Sequence, residues 1–372
     1  MAGVRRTQRA ALLDHIAQHG TLSLDLDDNP DYLYDLVSRY KDAVPDRPLV
    51  YAPNPDRDLA KVVNTFHGDR DVLGGGYRFD IPAYGPGVGF AQYEAYPGKR
   101  TEWVSPLGDG YKWTDSHQML SPTSLEMYGP LADVRAGRSY DQHWFEPVQR
   151  PRMGTAFAGP NRDINNNLTL PVERWTDSGP AGTSGIGDGQ FKTALYRDGV
   201  QVAQSASRVV RAMRQPAEQL PYTLVMDASR DASLWHTSVR THTEWDFTSK
   251  AIPAGTPGNR QDVRLLQLDY GVDTDLAGDV KAGLPVVLTL SSGTQEWLPS
   301  PVKADTATLS VSYDDGATWK PVKLFRTADG TWKTVLLPPK NKAGGFVSLK
   351  TSAKVDGGLG ISQEVVRAFG LR

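Results

Sequence analysis

Seven histidines, 43 acidic residues and no cysteine bound the chemistry open to this 372-residue chain. Without cysteine there can be no disulfide, no thiol nucleophile and no thiolate metal ligand. Nucleophilic hydrolysis would need a hydroxyl, a histidine base and an orienting carboxylate in hydrogen-bond contact. The available bases are His15, His19, His67, His117, His143, His236 and His242, and none stands in a catalytic signature. A G-x-S-x-G elbow is also absent. Glu173, Asp177, Asp188, Glu244 and Asp246 could pair for glycoside hydrolysis, although a chain this rich in acids offers such pairs by composition alone.

Metal chemistry is weakly signalled. Asp273, Asp275 and Asp279 surround Gly278 in the manner of a calcium loop. Ala277 replaces an oxygen ligand and Leu284 stands where the closing glutamate belongs, which rules out an EF-hand and leaves only a looser calcium site open. No H-E-x-x-H or comparable zinc spacing occurs. No catalytic residue, cofactor or metal ligand is therefore assigned. Trp103, Trp113, Trp144, Trp175 and Trp235 fall in or beside loops, where a row of them could bind polysaccharide; packing in the core is the competing reading. Gly85-Pro86-Gly87-Val88-Gly89 opens no helix, so it lacks the geometry that binds phosphate. The net charge is −2 and no basic stripe appears, which argues against nucleic acid as a partner. No run of about 18 apolar residues suggests a membrane helix.

The elements that must position these residues read as mostly β. The 36 glycines and 26 prolines favour short strands joined by turns. Two short helices are expected first, one with Leu12, Leu13 and Ile16 on one face and ending near Gly20, the other capped by Asn29 with Tyr32, Leu33, Leu36, Val37 and Tyr40 as its stripe. After this N-terminal segment (1–45), a β-sandwich or jelly-roll-like domain is expected over 46–250. Its last strand alternates Val239, Thr241, Thr243, Trp245 and Phe247 against Ser238, Arg240, His242, Glu244 and Asp246. The Gly-rich stretches 74–89 and 178–189 read as long loops that line a cleft or move. Ser249–Arg260 has linker composition, which places a linker at 251–260 and an immunoglobulin-like sandwich at 261–372.

The clearest local structure is Leu309–Val322. Alternation through Leu309, Val311 and Tyr313 makes a strand, Asp314-Asp315-Gly316 makes a turn, and Trp319 anchors the return as an "Asp-box" hairpin. Trp319→Ala is expected to destabilise this domain by about 3–5 kcal/mol, the range for a buried aromatic.

Several strings, taken in order, resemble one family. They are DYLYDLV (31–37), PGKRTEWVS (97–105), LYRDG (195–199), YTLVMDASR (222–230), TSVRTHTEWDFTS (237–249), VSYDDGATW (311–319) and the closing RAFGLR (367–372). Together they resemble the non-catalytic C-terminal region of large secreted subtilisin-like serine peptidases of actinomycetes. His19-Gly20-Thr21 and Gly182-Thr183-Ser184 match only fragments of subtilisin's histidine and serine motifs, so no catalytic residue carries over. The resemblance implies a non-enzymatic accessory β protein that stabilises or targets a protease, with a subtilisin-like catalytic domain or another protein as its partner. A carbohydrate or cell-wall binding module and a cryptic hydrolase with a carboxylate site are the alternatives. The family is secreted, whereas the N-terminus here has no signal-peptide pattern, so as written the location is cytoplasmic or unknown.

Overall fold

The structure, a computed structural model, describes residues 32–37, 46, 52–82, 87–153, 159–178, 183–187, 189–295 and 297–372. Among these are 28 strands and one four-residue helix, Pro55–Asp58, so the fold is mostly β, as composition and turn chemistry led us to expect. The strands form several sheets that pack face to face in a sandwich-like manner.

The first pair of sheets holds the N-terminal half. One sheet has the order Tyr32–Asp35, Gly98–Val104, Ala60–Phe66, Ser139–Trp144; the other has the order Thr183–Gly187, Leu125–Tyr128, Lys112–Ser121, Val72–Ile81, Val88–Tyr96. Phe66 and Trp144 from the first sheet meet Tyr96, Met119, Leu125 and Met127 from the second in one apolar cluster. Burying such side chains removes apolar surface from water, which is the main force holding the layers together.

The helix expected from Asn29 to Tyr40 is overturned at Tyr32–Asp35, which is a strand; the expected first helix lies outside the described residues. Tyr32–Asp35 pairs in parallel with Thr101–Val104, and the Tyr34 ring stacks on Trp103 at 4.9 Å. A neighbouring strand with open hydrogen-bonding groups outweighs a helical stripe, since tertiary context routinely overrides local propensity.

The Gly-rich stretch at 74–89 also differs from expectation, because Gly74-Gly75-Gly76 lies inside the strand Val72–Ile81. A Cβ on Gly74 would fall 1.6 Å from the Tyr96 ring, and one on Gly76 would fall 2.6 Å from Glu94 Oε1. These glycines admit large groups from the facing strands rather than granting freedom to a loop.

The second assembly is built on a nine-stranded sheet. Its path runs Val200–Ser205, Gln190–Arg197, Leu220–Ser229, Arg240–Ser249, Leu359–Leu371, Phe346–Val355, Thr306–Ser312, Lys320–Val322, with Asp279–Val280 beside Leu359–Leu371. The register expected for Arg240–Ser249 holds, with Thr241, Thr243, Trp245 and Phe247 buried. That strand pairs with Leu359–Leu371 from Arg240↔Val366 to Asp246↔Gly360. The expected linker at 251–260 therefore does not separate two sheets. A single apolar core joins Trp245 and Phe247 to Leu288, Leu349 and Phe369 across it.

Candidate functional site

The sequence candidates disperse in the fold. His15, His19, Gly182 and Asp188 lie outside the described residues. Thr183 and Ser184 sit in a strand paired with Tyr128 and Met127. Glu173 is buried against Arg208 at 2.8 Å, and burial raises its carboxyl to about 7. Asp177 is fully buried. Glu244 and Asp246 point outward, the first accepting from His242 Nε2 at 3.2 Å and the second from Thr223 Oγ1 at 2.8 Å. The aspartates of the expected calcium loop are drawn to separate partners. Asp275 Oδ1 accepts the N–H groups of Ala277 and Asp279 while Oδ2 meets Arg372 at 2.7 Å, and Asp279 Oδ1 takes His236 Nε2 at 2.8 Å. An aromatic platform does not form from the five tryptophans: Trp113, Trp144, Trp175 and Trp235 are buried, and Trp103 is half-buried against Tyr34.

What the fold does bring together is His67, His143 and Glu146. The strands Ala60–Phe66 and Ser139–Trp144 run in parallel with Thr65 opposite His143, and the chain extends past Phe66 with the His67 N–H donating to the Trp144 carbonyl at 3.0 Å. Alternation along a strand puts residues two apart on one face, so His67 follows Thr65 to the side of His143. Phe145, at φ 62°, then turns the chain so that Glu146 folds back on the same spot. His67 Nε2 lies 3.5 Å from His143 Nδ1 and 3.7 Å from Glu146 Oε1, and His143 Nδ1 lies 3.0 Å from Glu146 Oε1.

The electrostatics of this cluster follow from its depth. Burial, aided by the neighbouring His143, lowers the His67 imidazole to about 4, so it is neutral at pH 7. Burial also raises the Glu146 carboxyl. His143 is the wet member, with its side chain 46% exposed. His67 forms one wall of a recess shared with Met119, Phe145, Gln149 and Trp235. Behind it, Arg230 stacks against Trp175 and Trp235 at 4.5 and 3.9 Å and donates to the carbonyls of Thr237 and Ser238.

The C-terminus braces the cluster. The Gly68 N–H donates to the Leu276 carbonyl at 2.8 Å, which ties the residue after His67 to the 273–279 loop. That loop is held by Arg372 on Asp275 and by His236 on Asp279, a contact that raises the histidine pKa. A Cβ on Gly370 would lie 1.8 Å from Asp279 Oδ1, so the glycine of the closing RAFGLR string is required for this bond.

A second polar feature lies between the first two sheets. Arg78 pairs with Glu102 and Asp115 at 2.6 Å, and Arg100 pairs with Glu94 at 2.8 Å and Glu102 at 2.5 Å. Glu94 also accepts from the Tyr96 hydroxyl and contacts His117 Nδ1 at 2.9 Å. Burial disfavours charge on Glu102, but Arg78 and Arg100 outweigh it and hold the carboxyl at about 2. With its charges paired off inside the sandwich, the lattice ties the two sheets together; it presents no reactive group to solvent.

Sequence spacing missed the three-residue cluster because 76 residues separate His67 from His143, and only a parallel register joins them. The local signal was the His143-x-x-Glu146 pair beside a half-buried strand. The chain matches no protein-family model and no curated protein.

Proposed function

We propose that this chain is a non-catalytic accessory β protein of the kind that forms the C-terminal region of subtilisin-like serine peptidases, and that it stabilises or targets such a protease. On this reading its 261–372 part is the immunoglobulin-like sandwich and the partner is a subtilisin-like catalytic domain.

The observation that supports it is where the resembling strings fall. PGKRTEWVS supplies the strand Gly98–Val104, whose Arg100 and Glu102 tie the first two sheets through Glu94 and Arg78. YTLVMDASR and TSVRTHTEWDFTS supply adjacent strands at the centre of the nine-stranded sheet, and RAFGLR closes the strand Leu359–Leu371 beside them. VSYDDGATW supplies the hairpin. The likeness thus sits in the frame that positions everything else, which is what a shared scaffold would retain.

The test is direct. Incubated with casein and with an activated acyl ester, the purified chain should release no product. Hydrolysis abolished by a serine-directed inhibitor would overturn the reading.

A further inference from the structure

We propose that His67, His143 and Glu146 form a binding site for one divalent transition-metal ion of the zinc type, with a further position open to solvent. This goes beyond the accessory role and does not depend on it.

The first support is geometric. The three donor atoms stand 3.0, 3.5 and 3.7 Å apart. An ion holding nitrogen and oxygen ligands at about 2.0–2.1 Å in a tetrahedron separates them by roughly 3.3–3.4 Å. The circle through the three atoms has a radius of about 2.0 Å, so one ion reaches all of them at ordinary bond lengths. Facial ligands of an octahedral ion at the same bond length would stand only about 3.0 Å apart, a poorer match.

The donor set points the same way. Two imidazole nitrogens and one carboxylate oxygen suit zinc or a neighbouring first-row ion, whereas calcium and magnesium favour oxygen alone. The three donor atoms all lie within 4.8 Å of one another, close enough for one cation to engage them together.

The third support is that the position is built rather than accidental. His67 is only 5% exposed and is fixed by the parallel ladder. Its Nδ1 is enclosed near the backbone of Asp275, with no hydrogen bond of full strength, and the other nitrogen of a ligating histidine commonly rests against such a group. Glu146 is brought in by the turn at Phe145. The side chains of His143 and Glu146 are 46% and 30% exposed, so one side of the ion would face water. Three protein ligands with an open position make the ion exchangeable, unlike a closed structural zinc.

The experiment uses the full chain, stripped with a chelator and titrated with Zn2+ alone by calorimetry. One ion should bind per chain, with saturable heat and a rise in melting temperature. His143→Ala and Glu146→Gln are chosen because both side chains reach solvent; each should weaken binding at least tenfold while leaving the metal-free melting temperature in place. His242→Ala, together with His15→Ala and His19→Ala, should leave the stoichiometry and affinity unchanged. Substitution with Co2+ should give the visible absorption of a tetrahedral ion, lost in His143→Ala. The proposal is overturned if no saturable zinc binding occurs. It is equally overturned if His143→Ala and Glu146→Gln bind with less than a tenfold loss, or if removing the other histidines abolishes binding.

Discussion

At the scale of single residues, a glycine and a glutamate show how far chemistry can be read from type alone. Gly76 sits where a Cβ would press on Glu94 Oε1 at 2.6 Å and His117 Nδ1 at 2.8 Å. Gly76→Ala should therefore destabilise the fold by about 1–3 kcal/mol in chemical denaturation, since overpacking here also disturbs paired buried charges. The sequence suggests only that Gly74-Gly75-Gly76 is permissive; which side chains it admits depends on partners some 20 to 40 residues away. Glu173 titrates in the opposite sense from a typical paired carboxylate. Burial raises it from 4.5 to about 7 despite Arg208, so the folded chain holds a proton that the unfolded chain has released. Its contribution to stability is complete below pH 4.5 and is lost as pH rises through 7. Glu173→Gln should stabilise the protein at pH 8 by about 1–3 kcal/mol relative to its effect at pH 4. Equal melting shifts at both pH values would contradict this. From sequence, Glu173 was one of five candidate carboxylates, with nothing to show its burial.

At the scale of elements, the hairpin at 312–319 was read correctly in its turn and wrongly in its anchor. Ser312 Oγ accepts from the Gly316 N–H at 2.9 Å, Asp314 accepts from Thr318 at 2.9 Å, and Asp315 at φ 54° makes a charged pair with Arg367 at 2.7 Å. The bonds within 312–318 are local, dictated by residue type and spacing, and so legible in advance, whereas Arg367 reaches Asp315 from 52 residues away. Trp319 is half-buried rather than buried, lying over Gly316 with Lys350 5.8 Å from its ring. Its removal should cost about 1–2 kcal/mol instead of the 3–5 expected for full burial. The clean alternation of Arg240–Ser249 was likewise visible beforehand. The strand Tyr32–Asp35 and the juxtaposition of His67 with His143 were not, because both depend on parallel pairing between distant segments. Gly370→Ala should part His236 from Asp279 and loosen the 273–279 loop. We expect about 1–3 kcal/mol of lost stability and faster amide exchange at Gly278, whose N–H donates to the Asp275 carbonyl at 3.0 Å within that loop.

At the scale of the whole molecule, the mostly β class was evident from composition and alternation, while the strand pairing across 251–260 was not. Proline, glycine and small residues at 251–260 have the chemistry of a linker, yet the strands on either side join in one sheet through Thr241↔Val365 and its neighbours. Composition reports local stiffness; it carries no information about which edges pair. A chain truncated at residue 250 should accordingly lose the cooperative unfolding transition, because Arg240–Ser249 would expose an unpaired edge and half of its core. The same unity brings the C-terminal Arg372 to Asp275 and so to the wall behind His67. Whether such a frame serves a protease, as we propose, is the central question. The most direct measurement takes a subtilisin-like peptidase of the resembled class, removes its own C-terminal region, and follows its thermal inactivation with and without this chain added in trans. A saturable complex and a longer half-life are the expected result. No complex, and a half-life unchanged at saturating concentration, would contradict the accessory role.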